Sequence, residues 1–430
     1  MARHVAVVGL GYVGLSLGAL LASRGFHVDG VEIDPAKVDA INAGRVPFGG
    51  EEPGLGALLQ RVVKAKGLHA HSSFEPVQKA AAVFICVDTP IDPERRPRME
   101  SLRGAAAEVG RRLRPKALVV VESTIAPGTM RGIVQPALEE ASGLRAGRDF
   151  LLAHCPERVM PGRLLKNLQR CERVIGGLDR ASTRAAMTYY RRLTRAKLHP
   201  TDMTTAEVVK TAENAYRDVQ IAFANEVALL CEPMSVDTYE VRRLVNTAPF
   251  RDMHVPGAGV GGHCLPKDPW LLVFGSAGAH PKLIPAARSV NDGMPYHVLT
   301  LLASALAEAN VPLSAAKVAL LGVSFLPGSA DTRNSPAHPI YQALLGQVAE
   351  IRLHDPYARE LNGISVLSDL SAALSGADAA VFLTSHSAYT RLDLRRLRRL
   401  LAHPVLVDGR GLLSRDRARA AGFVYRGVGR

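Results

Sequence analysis

The stretch HVAVVGLGYVGLSLGALLASRG, residues 4–25, constrains the fold more than any other part of the chain. An apolar run of the kind that makes a buried parallel strand leads into Gly9, Gly11 and Gly14, and a helical pattern then runs to Gly25. In a strand–turn–helix unit the first glycine makes the tight turn. The second lets a diphosphate approach the backbone, and the third lets helix and strand pack closely. Glu32 ends a second apolar run, HVDGVEID, about twenty residues further on. A carboxylate there can accept bonds from ribose hydroxyls and would repel a 2′-phosphate. The pattern predicts an NAD-binding unit, with Tyr12 and Val13 in the loop as further cofactor contacts. A glycine turn without a ligand is the alternative.

The rest of the N-terminal part keeps this rhythm. AAVFICVDTP, ALVVVEST and DFLLAHCPE read as later strands with helices between them, which predicts a doubly wound α/β domain on a parallel sheet, residues 1–203. The texture then changes. TTAEVVKTAENAYRDVQIAFANEVALLCEPM has helical periodicity and no internal glycine or proline before Pro233, so it predicts one long helix opening a central helical domain, residues 204–310. A helix of that length suits a span between domains or a dimer seam. AKVALLGVSF, EIRLHDPYA, ADAAVFLTSH and HPVLVDGRG restart the alternation and predict a second Rossmann-like domain, residues 311–430, with VYRGVGR as a frayed tail.

Composition narrows the function. The net charge of +13 admits nucleic acid, an anionic membrane or phosphorylated small ligands. The basic residues are scattered, and only 5% of residues are aromatic, so no basic run interleaved with aromatics offers a nucleic-acid surface. No run of 18 apolar residues offers a membrane span, and nothing near Met1 reads as a signal peptide, so a cytoplasmic enzyme without membrane insertion is expected. The five cysteines are odd in number and form no CxxC pair, which argues against a disulfide framework and a structural zinc site; no metal is expected.

Several residues carry chemistry. Thr89 in CVDTP and Thr124 in ESTIAPGT follow strand ends, where ligands of open α/β sheets bind, although either threonine can instead cap a helix. Glu157 in HCPERVMPG is placed to order a water or act as a base; a surface ion pair with an arginine is the alternative. Lys210 and Asn214 lie one helical turn apart and can together stabilise an oxyanion, or simply face solvent. Cys264 lies in GVGGHCLPKDPW, after glycines that admit a substrate and shortly before Lys267 and Asp268. A thiolate there can attack an aldehyde, and loss of hydride from the adduct gives a thioester that water hydrolyses to an acid.

GLGYVG, ESTIAPGT, CPERVMPG, VVKTAENAYRDVQIAFANE, GVGGHCLPKD and SADTRNSP, in this order, resemble the UDP-glucose/GDP-mannose 6-dehydrogenase family over nearly the whole chain. The resemblance implies a four-electron oxidation of a sugar C6 alcohol to a carboxylate, using NAD twice, in a homodimer built on the long helix. Cys264 matches the nucleophile, and Lys210 with Asn214 the oxyanion pair. Asp268 matches the acid that positions Lys210 and the water, and Glu157 and Thr124 the residues that hold that water. Glu32 matches the ribose acid, and Arg333 an arginine near the diphosphate. Arg251 matches one that reaches a neighbouring subunit's substrate. Arg158, Gly261, His263 and Lys267 are further expected substrate contacts. Pro161, where the glucose branch usually carries a second glutamate, and His263 in GVGGHC resemble the UDP-N-acetylhexosamine branch, with UDP-N-acetylmannosamine as the expected substrate. UDP-glucose and UDP-N-acetylglucosamine oxidation are the alternatives, followed by a silent nucleotide-sugar binder. Lys267 and Leu326 depart from the pattern; the family often has a lysine near the latter.

Overall fold

The computed structural model describes residues 4–49, 52–276 and 278–430. They form two compact units. The first holds the described residues up to Glu213 together with those of Lys267–Ala279; the second holds Asn214–Pro266 and His280–Arg430.

The first unit is built on eight strands: β1 (His4–Val8), β2 (His27–Val31), β3 (Leu68–His71), β4 (Ala82–Ile85), β5 (Leu118–Val121), β6 (Leu151–His154), β7 (Arg173–Gly177) and β8 (Leu198–Asp202). Their order is β3-β2-β1-β4-β5-β6-β7-β8, so the direction of winding reverses between β1 and β4. The runs VAVV, AVFI and LVVV are buried along their whole length, as a sheet covered on both faces demands. One apolar layer, with Val5, Val7 and Phe84, packs on one face, and another, with Ala6, Val8 and Val83, on the other. The expectation of an all-parallel sheet needs one correction: β7 runs antiparallel to β6, and β8 follows β7 in parallel. The strands β3, β7 and β8 were not anticipated; LHAH and LHPTD are too polar to stand out as buried runs.

The division between the units falls inside the predicted long helix, observed over Met203–Cys231. Asp202 caps it, accepting from the Thr205 amide at 2.9 Å.

The second unit carries helices Thr238–Val245 and Leu283–Glu308 and a five-stranded parallel sheet. Its strands are β9 (Lys317–Leu321), β10 (Glu350–His354), β13 (Ala379–Phe382), β14 (Val405–Asp408) and β15 (Val424–Gly427), in the order β10-β9-β13-β14-β15; a short hairpin, β11 (Glu360–Leu361) and β12 (Ile364–Ser365), stands apart. Here the winding reverses between β9 and β13. The tail expected to fray is β15. Tyr425 and Val428 are buried, and the Arg430 guanidinium donates to the Leu413 carbonyl at 2.8 Å, pairs with Asp237 at 3.1 Å and lies 4.0 Å from the centre of the Tyr239 ring. Tyr425 on this short edge strand and Val428 just past its end find a core that the glycine- and arginine-rich sequence does not advertise.

Candidate active site

In open α/β sheets ligands bind beyond the carboxyl ends of the strands, where the winding reverses. In the first unit that point is the glycine loop after β1, beside the loop after β4. Gly9 has φ +88°, and a Cβ on it would sit 2.7 Å from the Cys86 carbonyl oxygen. A Cβ on Gly14 would sit 1.9 Å from the Gly9 oxygen, so helix and loop touch there. Gly11 differs, because a Cβ would meet nothing within 4 Å. It opens the helix Tyr12–Ser23, which has no side-chain cap and no acidic residue in its first turn. The loop therefore presents free space and uncapped N–H groups to an anion.

Glu32 accepts from the Leu10 amide at 3.0 Å and from the Asp34 amide at 3.2 Å, which holds its carboxylate beside the loop. Ile33, passed over in the sequence, is 83% exposed next to it. Tyr12 stacks on Phe48 at 4.0 Å and donates to the Gly49 carbonyl at 2.9 Å; Val13 is half-buried. These residues fit a dinucleotide: space for the diphosphate at Gly11 and an acid for the ribose at Glu32.

The loops after β4 and β5 are joined. The Thr89 hydroxyl donates to the Thr124 carbonyl at 2.6 Å, and that of Ser123 to the Val87 carbonyl at 2.6 Å. Neither Thr89 nor Thr124 caps a helix. The turn after Thr124 is held instead by Glu207 of the long helix, which accepts from the Gly128 and Met130 amides at 2.7 Å each. Glu207 was not anticipated, since nothing local to it signals a partner 77 residues away.

Glu157 is buried, and its partner is not an arginine. One carboxylate oxygen lies 3.2 Å from Lys210 Nζ, and the other accepts from the Val159 amide at 2.6 Å. The ion pair is about nine-tenths buried, with side-chain exposures of 7% and 10%. Lys210 thus does not face solvent. Its ammonium is held beside a carboxylate, an arrangement able to stabilise an oxyanion and fix a water. Arg158 turns away to Glu213 and to the Glu172 carbonyl at 2.9 Å. Lys267 and Asp268 are buried and paired at 2.8 Å. Asp268 opens the helix Asp268–Gly275 in the favourable first-turn position.

Beneath these loops lies a fully buried cluster. Arg173 pairs with Glu122 at 3.2 Å, the Tyr190 hydroxyl donates to Glu122 at 2.5 Å, and Cys155 lies 3.7 Å from Arg173. Burial pushes the Cys155 thiol up to about 12, although Arg173 opposes the shift. That thiol is a packing group, not a nucleophile.

The second unit holds the other predicted residues. The glycine loop GVGG is clamped by the DTRNSP segment: the Gly262 amide donates to the Arg333 carbonyl at 2.9 Å, and the Asn334 side chain donates to the Gly262 carbonyl at 3.0 Å. A Cβ on Gly261 would lie 2.5 Å from Phe325 Cβ, so only glycine fits. Arg333 is brought to this loop, its guanidinium gripped at two points by Asp331, at 2.9 and 2.6 Å, and its side chain 43% exposed. His263, Cys264 and Asn214 are half-buried, so the Cys264 sulfur is not sealed in a core as Cys155 is. Arg251 is not drawn in; it is exposed and donates to the Pro249 carbonyl at 3.3 Å. Arg410 was missed. It follows β14 in VDGRG and donates to the Leu383 carbonyl at 2.8 Å and the Gly259 carbonyl at 3.2 Å, and no ion pair neutralises it among the described residues. An arginine just past a strand end, beside a glycine, is the signal that could have found it.

Sequence models of one family match three stretches in chain order. They describe the NAD-binding domain over residues 3–194, the central domain over 204–293 and the UDP-binding domain over 319–415. The chain belongs to the UDP-glucose/GDP-mannose dehydrogenase family. It is an NAD-dependent nucleotide-sugar dehydrogenase, an oxidoreductase. Among its relatives, a UDP-N-acetyl-D-mannosamine dehydrogenase of Pyrococcus horikoshii is 38% identical over 99% of each chain. A solved structure of the UDP-D-ManNAc dehydrogenase from Pyrococcus horikoshii matches with a TM-score of 0.94 and 38% identity, over 100% of this chain and 99% of that one. A solved UDP-glucose dehydrogenase from Pyrobaculum islandicum matches with a TM-score of 0.89 and 32% identity, over 100% and 98%.

Proposed function

We propose that this dehydrogenase oxidises the C6 hydroxyl of UDP-N-acetyl-D-mannosamine to the carboxylate, through a thioester on Cys264. The observation that carries the substrate is the likeness, end to end, to a relative of that name at 38% identity. UDP-glucose is the second reading, supported by the Pyrobaculum islandicum likeness at 32% identity.

Bound NAD would supply the acceptor for the two hydrides that leave C6 in turn, the hydroxyl proton passing each time to a base through water or Lys210. The Glu32 carboxylate and the space at Gly11 orient it. Cys264 Sγ adds to the C6 aldehyde carbon, forming a C–S bond, while the carbonyl oxygen takes the charge and then a proton. Lys210 and Asn214 donate to that oxygen. After the second oxidation, water held by Glu157 and Thr124 adds to the thioester carbon, the C–S bond breaks, and the acid and the thiol are released. Asp268 positions Lys210 and the water. Arg333 and the GVGG backbone hold the nucleotide.

The enzyme is further proposed to be a cytoplasmic homodimer. Tyr216, Phe223 and Leu230 recur at seven-residue spacing on the long helix and are each more than half exposed, an apolar seam suited to a second copy. The exposed Arg251 is free to reach across such a seam. No described helix is long and apolar enough to cross a membrane.

The test is NADH formed per sugar consumed, with UDP-N-acetylmannosamine, UDP-N-acetylglucosamine, UDP-glucose and their galacto epimers. Two NADH per UDP-N-acetylmannosamine is expected. One NADH with release of an aldehyde would remove Cys264 from the mechanism, and two NADH with UDP-glucose alone would establish the second reading. Cys264→Ser should bind UDP-sugar yet lose release of the acid by on the order of 10³-fold or more.

A further inference from the structure

The first unit carries a group of metal-ligating side chains that the dehydrogenase chemistry does not use. Parallel pairing sets His4 of β1 beside His27 of β2, and Asp29 of β2 beside His69 of β3. Side chains two apart on a strand share a face, and so do registered partners on neighbouring strands. His4, His27, Asp29, His69 and His71 therefore all project from one face of the sheet. The signal in the sequence is the pair HVD and LHAH, but it becomes a cluster only through the three-strand register.

The contacts sort these residues into roles. One ligand atom each from His4, His27 and Asp29 lies within 4.8 Å of the other two. His71 Nε2 is 3.0 Å from Asp29 Oδ1, which leaves Oδ2 turned toward His4 Nδ1 at 3.7 Å. That Nδ1 is buried yet makes no hydrogen bond. The His4 and His27 rings lie 4.4 Å apart between centroids, close for two imidazoles with no hydrogen bond between them. Tetrahedral zinc places ligand atoms about 3.3 Å from one another, at bonds of about 2.0–2.1 Å. Small turns of His4, 43% exposed, and of half-buried His27 bring the three atoms to that spacing.

We propose that His4, His27 and Asp29 bind a divalent transition-metal ion of the zinc type. His71 holds the carboxylate from behind, and water completes the tetrahedron. Imidazole and carboxylate together suit zinc better than calcium or magnesium, which take oxygen ligands alone. A carboxylate anchored by a second histidine is the outer-shell support such sites use. The ion would tie β1 to β2 in the sheet that carries the glycine loop. It would act as a structural staple, taking no part in the oxidation.

The experiment uses the full chain without an affinity tag, stripped with a chelator and dialysed against ZnCl2, then against CoCl2. About one zinc retained per chain, with a rise in melting temperature, is expected, together with visible cobalt bands of a tetrahedral nitrogen/oxygen site. His4→Gln/His27→Gln, at partly exposed positions, should fold, keep NAD binding, and lose both the retained zinc and the rise in melting temperature. Asp29→Asn should weaken retention at least tenfold. The proposal fails if wild type retains no zinc, or if the double variant retains as much as wild type. It also fails if the cobalt protein shows the intense near-ultraviolet band of thiolate ligation, which would place the metal on a cysteine.

Discussion

The two α/β units use one device to opposite ends. In each, an acid at the end of the strand neighbouring the first one grips the loop after that first strand. Glu32 after β2 accepts from the Leu10 amide at 3.0 Å, and Asp355 after β10 accepts from the Ser324 amide at 2.9 Å. In the first unit the loop stays open above Gly11. In the second it is closed from within: the His386 ring lies 2.9 Å from the Ser324 hydroxyl and 3.1 Å from Asp355, its other nitrogen accepts from the Gly328 amide at 3.2 Å, and all three side chains are buried. The first turn is alike in both, since a Cβ on Gly322 would meet Thr384 at 2.7 Å as one on Gly9 would meet the Cys86 carbonyl at 2.7 Å; the difference comes two residues on, where Gly11 finds room and Ser324 is buried and bonded. The architecture is shared, and what fills the first crossover loop decides whether it receives a ligand or serves as structure.

The contrast is open to attack, most severely at the acids. Asp355→Ala strips a buried network of its acceptor and should lower the unfolding free energy of the second unit by about 3–5 kcal/mol in urea titration. An unchanged midpoint would mean that the sealed loop is not structural.

Acid should separate the units next. Burial lowers His154 of the first unit to about 4, against its bond to the Val121 carbonyl. The unfolded chain takes up a proton below about 6.5 that the folded chain refuses, so stability is full above that pH and falls as pH drops toward 4, by up to about 3 kcal/mol. Burial works to raise Asp355, yet the bonds from His386 and from the Ala358 and Ser324 amides bring it to about 2. Its contribution is present above the unfolded carboxylate value of about 3.9 and is lost only as pH falls through 2. Hydrogen exchange, corrected for intrinsic rates, should show β6 loosening between pH 6.5 and 4 while β10 stays protected. Loosening of both together would erase the distinction.

Glu32→Ala should leave the melting temperature within a few degrees and shift the ratio of NAD to NADP efficiency by about tenfold or more, about 1.4 kcal/mol. A large loss of stability with no change in preference would make Glu32 a second Asp355. The smallest effect belongs to the tail. Arg430→Ala removes one ion pair, one ring contact and the hydrogen bond to the Leu413 carbonyl and should cost about 1 kcal/mol, read as a modest drop in melting temperature.

What could be read from the sequence was whatever is local. The glycine spacing, the acid at Glu32 and the thiol among glycines at Cys264 each declare themselves within a dozen residues or at a fixed offset. The long helix shows through its unbroken period. What stayed hidden depends on partners far along the chain. Glu122 meets Arg173 across 51 positions, and Glu207 meets Met130 across 77. Glu157 stands out at a strand end, but its pairing with Lys210 across the chain does not. The reversal at β7 leaves no mark in RVIGG, because side-chain alternation is the same in either direction. The tail was misread because glycine and arginine suggest disorder, while burial of Tyr425 and Val428 depends on β14 and on the helices packed over it.

The chain has a single tryptophan. Trp270, on the helix that Asp268 opens, is nearly buried, and the Arg95 guanidinium lies 4.2 Å from the centre of its ring. Arg95 belongs to the loop that begins at Thr89, and its φ of +66° marks a tight turn there. A cation over an indole alters its emission, and a ligand that draws on Thr89 pulls on the same loop. Mixing with NAD is therefore expected to change the emission of this one tryptophan, read by stopped-flow fluorescence without any label; unchanged emission on saturation would separate the Arg95 loop from the cofactor site.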